Sequence, residues 1–146
     1  KINIKKFLKF GKDYFKIDVL QDILDQKPTA ELEPITSEYS QTDEEDIGIT
    51  YQDISYLGML RKEKNLGPVN MVHYLIDEKY NGYSVEEIKE LVKKFCRRYA
   101  INRHKMTTLT PSYHGEDYSP DDNRHDLRPF LYNINWELQN EIIDKI

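Results

Sequence analysis

The sequence predicts a mainly α-helical chain. Apolar residues recur at helical spacing between Ile4 and Phe15 and again between Val85 and Tyr99. Proline, glycine and helix-capping residues separate these stretches, and the only strand signal is a weak one near residues 106–109. At 146 residues the chain has the size of one ordinary domain and is long enough to bury a core of its own.

Two helices are predicted over residues 1–27. In the first helix, lysines occupy most of the surface that the apolar residues leave free. This pattern fits a packed surface helix with solvated lysines, and it also fits a basic amphipathic helix that binds a membrane or an acidic partner. The second helix is short, and Pro28 ends it because proline disfavours helical geometry in the preceding residue.

Residues 28–50 are predicted to form a loop. Between Pro28 and Leu60 the sequence contains eight carboxylates and no Lys or Arg. The acidic run from Gln41 to Asp46 lacks the alternating ligands and the central glycine of a calcium-binding loop. It could bind a metal, cap the following helix or face water. A solvated lid is the simplest interpretation, because long loops inside compact domains are usually lids or linkers.

Helices are predicted over residues 51–105, and each follows a helix-start signal. The signals are Thr50 with Asp53, Pro68 directly after Gly67, and the capping box Ser84–Glu87. The third of these helices has the clearest apolar stripe in the chain, formed by Val85, Ile88, Leu91, Val92, Phe95, Cys96 and Tyr99. An irregular tail and a short helix are expected over residues 106–146.

Cysteine and metal chemistry are not predicted. Cys96 is the single cysteine, which excludes an internal disulfide and a multi-cysteine zinc site. Its position on the apolar stripe predicts a buried, unreactive thiol. No standard metal-ligand spacing occurs among the acidic and histidine residues of the tail, which are His114, Glu116, Asp117, His125 and Asp126.

A dense cationic cluster reverses the sign of an otherwise acidic chain. Between Lys93 and Lys105 there are six Lys or Arg residues and His104, whereas the whole chain has a formal net charge of −5. Such a reversal suggests a small anionic ligand, most commonly phosphate. For the members on the helix, which are Lys93, Lys94, Arg97 and Arg98, a solvated face is the better interpretation, because positive charge complements the carbonyl end of the helix. Residues 103–105 lie at or beyond the helix end and could bind a pyrophosphate.

Composition restricts the remaining functions. Hydrophobic residues make up 38% and charged residues 32%, which fits a chain that completes its core against something else or one with long solvated loops. No apolar run approaches the ~18 residues of a membrane span, and the start of the chain is no secretory signal, so we expect a cytoplasmic protein. Negative net charge and the lack of a binding motif argue against a nucleic-acid partner. The first residue is Lys, which suggests that an upstream part lies outside this numbering.

Five segments have a more specific pattern. They are Lys27–Pro34 (KPTAELEP), Gln41–Tyr51 (QTDEEDIGITY), Arg103–His114 (RHKMTTLTPSYH), Tyr118–Arg124 (YSPDDNR) and Asp126–Tyr132 (DLRPFLY). In this order and at this spacing they resemble the C-terminal part of the synthetase domain of eukaryotic glutamine-dependent NAD synthetases. The resemblance covers almost the whole chain, so chance is a poor explanation.

The resemblance implies a two-step ligation. ATP with magnesium adenylylates the nicotinate carboxylate of nicotinic acid adenine dinucleotide, and ammonia then displaces AMP to form the carboxamide of NAD. The ammonia would come from glutamine hydrolysed in an N-terminal nitrilase-like domain. The synthetase domain would be an α/β fold of the adenine-nucleotide hydrolase type, with a Ser-Gly-Gly-x-Asp-Ser pyrophosphate loop. This chain contains no such loop, so we expect it to supply part of the nucleotide site and to be inactive alone.

The resemblance also assigns binding roles to individual residues. Thr29 matches a threonine that contacts ATP. His104 and Lys105 match a pair that binds the deamido dinucleotide, which favours the phosphate interpretation of the cationic cluster. Electrostatic stabilisation of phosphate oxygens is the role that their charges would have.

Acidic residues receive less specific roles from the same resemblance. Residues 34–50 match a mobile loop that folds over the bound adenylate, where Asp43 and Glu44 would contact the substrate or order the loop. Asp122 or Asp126 would lie near the incoming ammonia. The expected partners are the remaining synthetase and glutaminase domains, in a homo-oligomer.

An alternative from another class is a helical interaction module. Its basic surfaces, over residues 1–16 and 93–105, would bind an acidic partner. Binding of that kind would be sensitive to salt and would survive replacement of Thr29 and His104.

Overall fold

The computed structural model describes residues 2–26, 43–102 and 133–146. All regular elements in these ranges are helical, which confirms the prediction of a mainly α-helical chain. They are α1 (Ile2–Phe15), α2 (Leu20–Asp25), α3 (Asp43–Ile47), α4 (Tyr51–Lys62), α5 (Pro68–Asp77), a 3-10 turn (Tyr80–Gly82), α6 (Val85–Asn102) and α7 (Glu137–Asp144).

Two compact units divide the chain, where the sequence predicted one domain. The first unit is Lys1–Ser55 and the second is Tyr56–Ile146. The acidic run also differs from its prediction, because α3 lies inside the range 28–50 that was expected to be a loop. Acidic side chains stabilise the first turn of a helix through its dipole, which accounts for a single helical turn in this sequence.

The first unit begins with the hairpin of α1 and α2. Lys16 adopts a left-handed backbone conformation directly after α1 and reverses the chain. Gly11 packs against α2, and it is the only buried residue in the range 2–26. Across the hairpin, the Lys12 Nζ donates a hydrogen bond of 2.6 Å to the Gln21 Oε1. The hairpin therefore has a polar link and a close backbone approach but almost no core.

The second unit has a core of its own. Helices α5, α6 and α7 contact one another, and the second half of α4 adds two leucines. The fully buried side chains are Leu57, Leu60, Met71, Val72, Leu75, Ile88, Val92 and Ile143. Helix α6 contributes the predicted stripe from Ile88 to Cys96, whereas Val85, its first residue, is 40% exposed.

Local capping fixes where α6 begins, as the sequence predicted. The Ser84 backbone N–H donates to the Glu87 Oε2 over 2.8 Å, and the Glu87 N–H donates to the Ser84 Oγ over 3.3 Å. The Ser84 hydroxyl also donates to the Glu87 Oε2 over 2.7 Å, and this bond together with the one from the Ser84 backbone N–H lowers the pKa of the Glu87 carboxyl. Before this box, Asn81 and Gly82 both have positive φ, and they form the predicted turn.

No helix within the three described ranges combines the length and the apolar character needed to cross a bilayer.

Candidate functional site

Most of the residues that the resemblance assigned to a site lie outside the described residues. These are Thr29, His104, Lys105, Asp122 and Asp126. Asp43 is the first residue of α3, and Glu44 follows it with a described side chain. Next to these residues in the sequence, the structure describes the α3–α4 junction, which belongs to the first unit, and the end of α6, which belongs to the second.

Glu44 orders the junction between α3 and α4. Its Oε1 accepts a hydrogen bond of 2.7 Å from the backbone N–H of Tyr51, the first residue of α4. Gly48 has a φ of 68° and donates its N–H to the Glu44 carbonyl over 2.8 Å, which ends α3. A carboxylate at a helix N-terminus satisfies one of the free N–H groups and complements the dipole. In this arrangement the Glu44 carboxylate is engaged by the protein itself.

Thr50 caps α4 and holds a buried carboxylate. The Thr50 Oγ1 donates to the Asp53 Oδ2 over 2.7 Å and accepts from the Asp53 N–H over 3.1 Å. Asp53 is only 3% exposed, and Ile49 beside the cap is 4% exposed. A buried carboxylate needs hydrogen-bond donors, and the hydroxyl supplies one. Thr50, the last residue of the predicted lid, is therefore held to the start of α4 by these two hydrogen bonds.

The end of α6 is anchored by residues 133–146. The Trp136 Nε1 donates a hydrogen bond of 3.0 Å to the Cys96 carbonyl oxygen. The Arg97 Nη1 donates to the Asn135 Oδ1 over 3.0 Å. The Lys93 Nζ forms ion pairs with Asp144 and, over 3.2 Å, with Glu90. Helix α6 thus reaches Asn102, directly before Arg103, as a firmly held element.

Two of the helical cations proved to be structural. Lys93 and Arg97 bind residues of the segment 133–146 through contacts at the surface, and Arg97 itself is exposed. The ion pair with Asp144 raises the pKa of the Lys93 ammonium. Arg61 lies over the Tyr99 ring at 5.9 Å, so α4 also supports this end of α6. Sequence reasoning missed Asn135 and Trp136, although a lone Trp in a polar tail is a signal of amphipathic anchoring.

Within the ranges that the structure describes, there is no group of three or more His, Cys, Asp or Glu residues able to hold a metal ion. Burial raises the pKa of the Cys96 thiol to about 12, so Cys96 is the unreactive core thiol that was predicted.

Comparison with known proteins decides what the chain resembles. It is 51% identical to the glutamine-dependent NAD(+) synthetase of Drosophila melanogaster over 99% of this chain and 19% of that protein. It is 49% identical to the enzyme of that name from Dictyostelium discoideum over 100% of this chain, and 49% identical to that from Mus musculus over 99%, each covering 20% of the relative. The chain matches one segment of glutamine-dependent NAD(+) synthetases.

This similarity confirms the resemblance on which the site assignments depend. The chain spans about a fifth of the length of these synthetases. That the matching segment is C-terminal stays a prediction, as do the roles of the individual residues. No profile of a protein family matches the chain.

Proposed function

We propose that the polypeptide containing this chain is a ligase that forms NAD from nicotinic acid adenine dinucleotide, ATP and glutamine-derived ammonia. The observation that carries the proposal is identity of 44–51% over 99–100% of the chain to proteins named glutamine-dependent NAD(+) synthetase. The segments that contain the predicted site residues are 27–34, 41–51, 103–114, 118–124 and 126–132, and all of them lie inside the aligned range.

The proposed reaction has two steps. A nicotinate carboxylate oxygen attacks the α-phosphorus of ATP, the bond from that phosphorus to pyrophosphate breaks, and a mixed anhydride with AMP (the acyl-adenylate) forms. Ammonia then attacks the carbonyl carbon and loses a proton, and the bond to AMP breaks to give the carboxamide. ATP with magnesium would be bound mainly by residues outside this chain, and the ion would supply positive charge to the phosphate oxygens.

This chain would bind and position nucleotides. Thr29 would contact ATP, and His104 with Lys105 would hold the phosphates of the deamido dinucleotide by charge-assisted hydrogen bonds. Negative charge develops on phosphate oxygens during adenylylation, so cations fixed there favour the transition state. Asp122 or Asp126 would lie beside the incoming ammonia. The remaining nucleotide contacts, including a pyrophosphate loop on an α/β sheet, would come from the rest of the polypeptide.

The contacts of the described residues support the proposal that this chain positions nucleotides. A loop that closes over an acyl-adenylate must exclude water, which otherwise hydrolyses it. The predicted loop ends at Thr50, where the buried Asp53 and the Glu44 carboxylate fix the chain. The segment carrying His104 begins at the anchored end of α6. The predicted loop is thus followed directly by α4, and the segment that contains His104 follows directly after α6. Homo-oligomeric assembly and a cytoplasmic location belong to the same proposal.

Ligand binding by variants of the intact polypeptide tests the residue assignments. Each ligand is titrated separately by calorimetry. We expect the double variant His104→Ala and Lys105→Ala to weaken binding of the deamido dinucleotide by at least about tenfold, because each lost hydrogen bond to a charged group is worth about 1.5–3 kcal/mol. ATP binding should change little. Thr29→Ala should weaken binding of ATP and should change binding of the deamido dinucleotide little.

Matched controls come from exposed residues of the same types. His73→Ala on α5 and Lys9→Ala on α1 remove a histidine and a lysine that face solvent. Both should leave the two affinities unchanged. If the controls weaken dinucleotide binding as much as the double variant does, or if the double variant binds normally, the assignment of His104 and Lys105 is wrong.

A further inference from the structure

Two tyrosines of the second unit, far apart in the sequence, lie face to face. Tyr56 is on α4, and Tyr80 is the first residue of the 3-10 turn between α5 and α6. Their ring centroids are 4.7 Å apart, and the planes of the two rings differ by only 2°. Both residues are half-buried, so small molecules in the solvent can reach them.

The backbone of the turn holds Tyr80 in this position. Lys79 and Asn81, on either side of it, both have left-handed backbone conformations, with φ of 50° and 51°. The Gly82 N–H donates to the Lys79 carbonyl over 3.2 Å, and the Tyr83 N–H donates to the Tyr80 carbonyl over 3.0 Å. Positive φ is uncommon outside glycine and persists only where the surrounding structure enforces it. The stack is therefore maintained by the turn as well as by the rings.

The parallel orientation of the rings favours radical coupling. A tyrosine that loses one electron and one proton becomes a phenoxyl radical, whose unpaired electron is shared between the oxygen and ring carbons that include both Cε atoms. Two such radicals couple through their π lobes, which stand perpendicular to the rings. In the stack of Tyr56 on Tyr80 the lobes of each ring point at the other. Tyr83 meets Tyr80 at 6.0 Å with planes at 74°, so the lobes of those two rings are nearly perpendicular.

Neighbouring groups favour loss of an electron from Tyr56. Burial, the adjacent Tyr74 hydroxyl and the Glu78 carboxylate raise the pKa of Tyr56, which is therefore protonated at neutral pH. Its hydrogen bond with Tyr74 supplies an acceptor for the proton that leaves with the electron. The negative charge of Glu78 stabilises the positive charge that develops on the ring. The Lys64 ammonium lies over the Tyr74 ring at 5.9 Å, and a cation there disfavours oxidation of Tyr74 itself.

We propose that Tyr56 and Tyr80 form an oxidative modification site, at which a one-electron oxidant such as a peroxide-derived radical joins the rings by a carbon–carbon bond. Each ring gives one electron to the oxidant and one proton to water. A Cε atom of one ring then bonds to a Cε atom of the other. The hydrogens of these two carbons move to the phenolic oxygens, which restores both aromatic rings. The product is lighter by two hydrogen atoms, and it links α4 to the turn before α6.

This inference does not depend on the proposed ligation. It rests on ring geometry within the second unit, so failure of the ligand-binding tests above would leave it standing.

Oxidation of the intact, unsubstituted polypeptide tests the proposal. Light-activated tris(bipyridine)ruthenium(II) with persulfate supplies the one-electron oxidant in a brief pulse. Equal amounts of ¹⁵N-labelled and unlabelled polypeptide are mixed beforehand, and linked peptides are identified by mass spectrometry. We expect a link between Tyr56 and Tyr80 of the same isotopic chain. Its yield should exceed that of a link between Tyr80 and Tyr83 at least about tenfold, because correct orientation of two reacting groups is worth at least this factor.

The same oxidation in concentrated urea is the matched control. In the unfolded chain Tyr83 is much closer to Tyr80 along the sequence than Tyr56 is, so loop closure favours the link between Tyr80 and Tyr83. The preference between the two links should therefore reverse. In the folded polypeptide, the variant Tyr83→Phe should leave the yield of the link between Tyr56 and Tyr80 unchanged.

Other products would overturn the proposal. A native product dominated by the link between Tyr80 and Tyr83, or the same ratio of links in folded and unfolded protein, would show that stacking does not direct the coupling. Links found only between labelled and unlabelled chains would show that these rings react with a second copy. Hydroxylated or unchanged rings at positions 56 and 80, with no link between them, would equally contradict it.

Discussion

At the scale of single residues, the junction before α4 shows how a short hydrogen-bonding pattern ends a segment. Thr50 and Asp53 exchange two hydrogen bonds, and Glu44 supplies a third to the same helix start. All of these groups lie between Glu44 and Asp53, so bringing them together costs little loop entropy.

Cys96 gives a residue-scale prediction about pH. Its folded pKa is about 12 because burial disfavours the thiolate, against a usual value of 9.0. At pH 8 the thiolate is therefore scarce, and native Cys96 should react with iodoacetamide at least roughly a thousandfold more slowly than a free cysteine. The rate should keep rising with pH through pH 10 without a plateau. Peptide mass spectrometry after timed quenching measures it.

The same pKa difference has a defined sign for stability. Above pH 9 the unfolded chain releases the Cys96 proton while the folded chain retains it, so the unfolded state binds fewer protons. The contribution of Cys96 to the free energy of unfolding then declines with rising pH, by at most about 1.4 kcal/mol per unit. Native alkylation that levels off near pH 9 would show that the thiol is exposed and would refute both statements.

At the scale of helices, residues 133–146 are held to α6 by contacts that contribute unequally to stability. Trp136 reaches the Cys96 carbonyl from a left-handed backbone conformation, and its indole is partly buried. The ion pair of Lys93 with Asp144 has one partner that is 60% exposed. Exposed ion pairs contribute about 0–1 kcal/mol and are screened by salt. The indole should therefore be the principal anchor.

Hydrogen exchange of the α7 amides tests this ranking in the intact polypeptide. Trp136→Phe keeps the aromatic ring but removes the donor, which costs about 1 kcal/mol and should speed exchange about fivefold. Asp144→Asn should have a smaller effect that disappears in high salt. A larger effect of Asp144→Asn, or one insensitive to salt, would show that the ion pair is the main anchor.

The sequence predicted those helices whose ends are defined by contacts between residues close together in the chain. It did not predict contacts between residues far apart in the chain. The starts of α4, α5 and α6 were predicted because caps such as Ser84–Glu87 join residues only three apart. The Trp136–Cys96 hydrogen bond joins residues 40 positions apart, and no local pattern reports such a contact. Helix α3 was missed because one turn is too short to show an apolar periodicity.

For the whole molecule, packing is uneven between the two units. The second unit buries eight large side chains completely, whereas the α1–α2 hairpin buries only Gly11. The amphipathic pattern of α1 correctly predicted a helix, but a pattern cannot show which surface covers its apolar side. The low share of hydrophobic residues, 38%, led to two expectations, a core completed against something else and long solvated loops, and both stay predictions.

The predicted site followed from resemblance and not from local physics. Composition and charge alone predicted only that a phosphate group could bind near His104. The assignment of that residue to a dinucleotide, and of Thr29 to ATP, required the matching segments. The reason is physical, since a nucleotide site is built from distant parts of a fold, and spacing along one segment does not reveal what faces it.

The most direct test of the account follows oxygen atoms through the reaction of the intact polypeptide. Nicotinic acid adenine dinucleotide labelled with ¹⁸O in both nicotinate carboxylate oxygens is incubated with ATP, magnesium and glutamine. If the carboxylate is adenylylated, mass spectrometry will find one ¹⁸O in AMP and one in the carboxamide of NAD, with unlabelled pyrophosphate. Formation of ADP with ¹⁸O in inorganic phosphate, or of AMP without label, would contradict the proposed function.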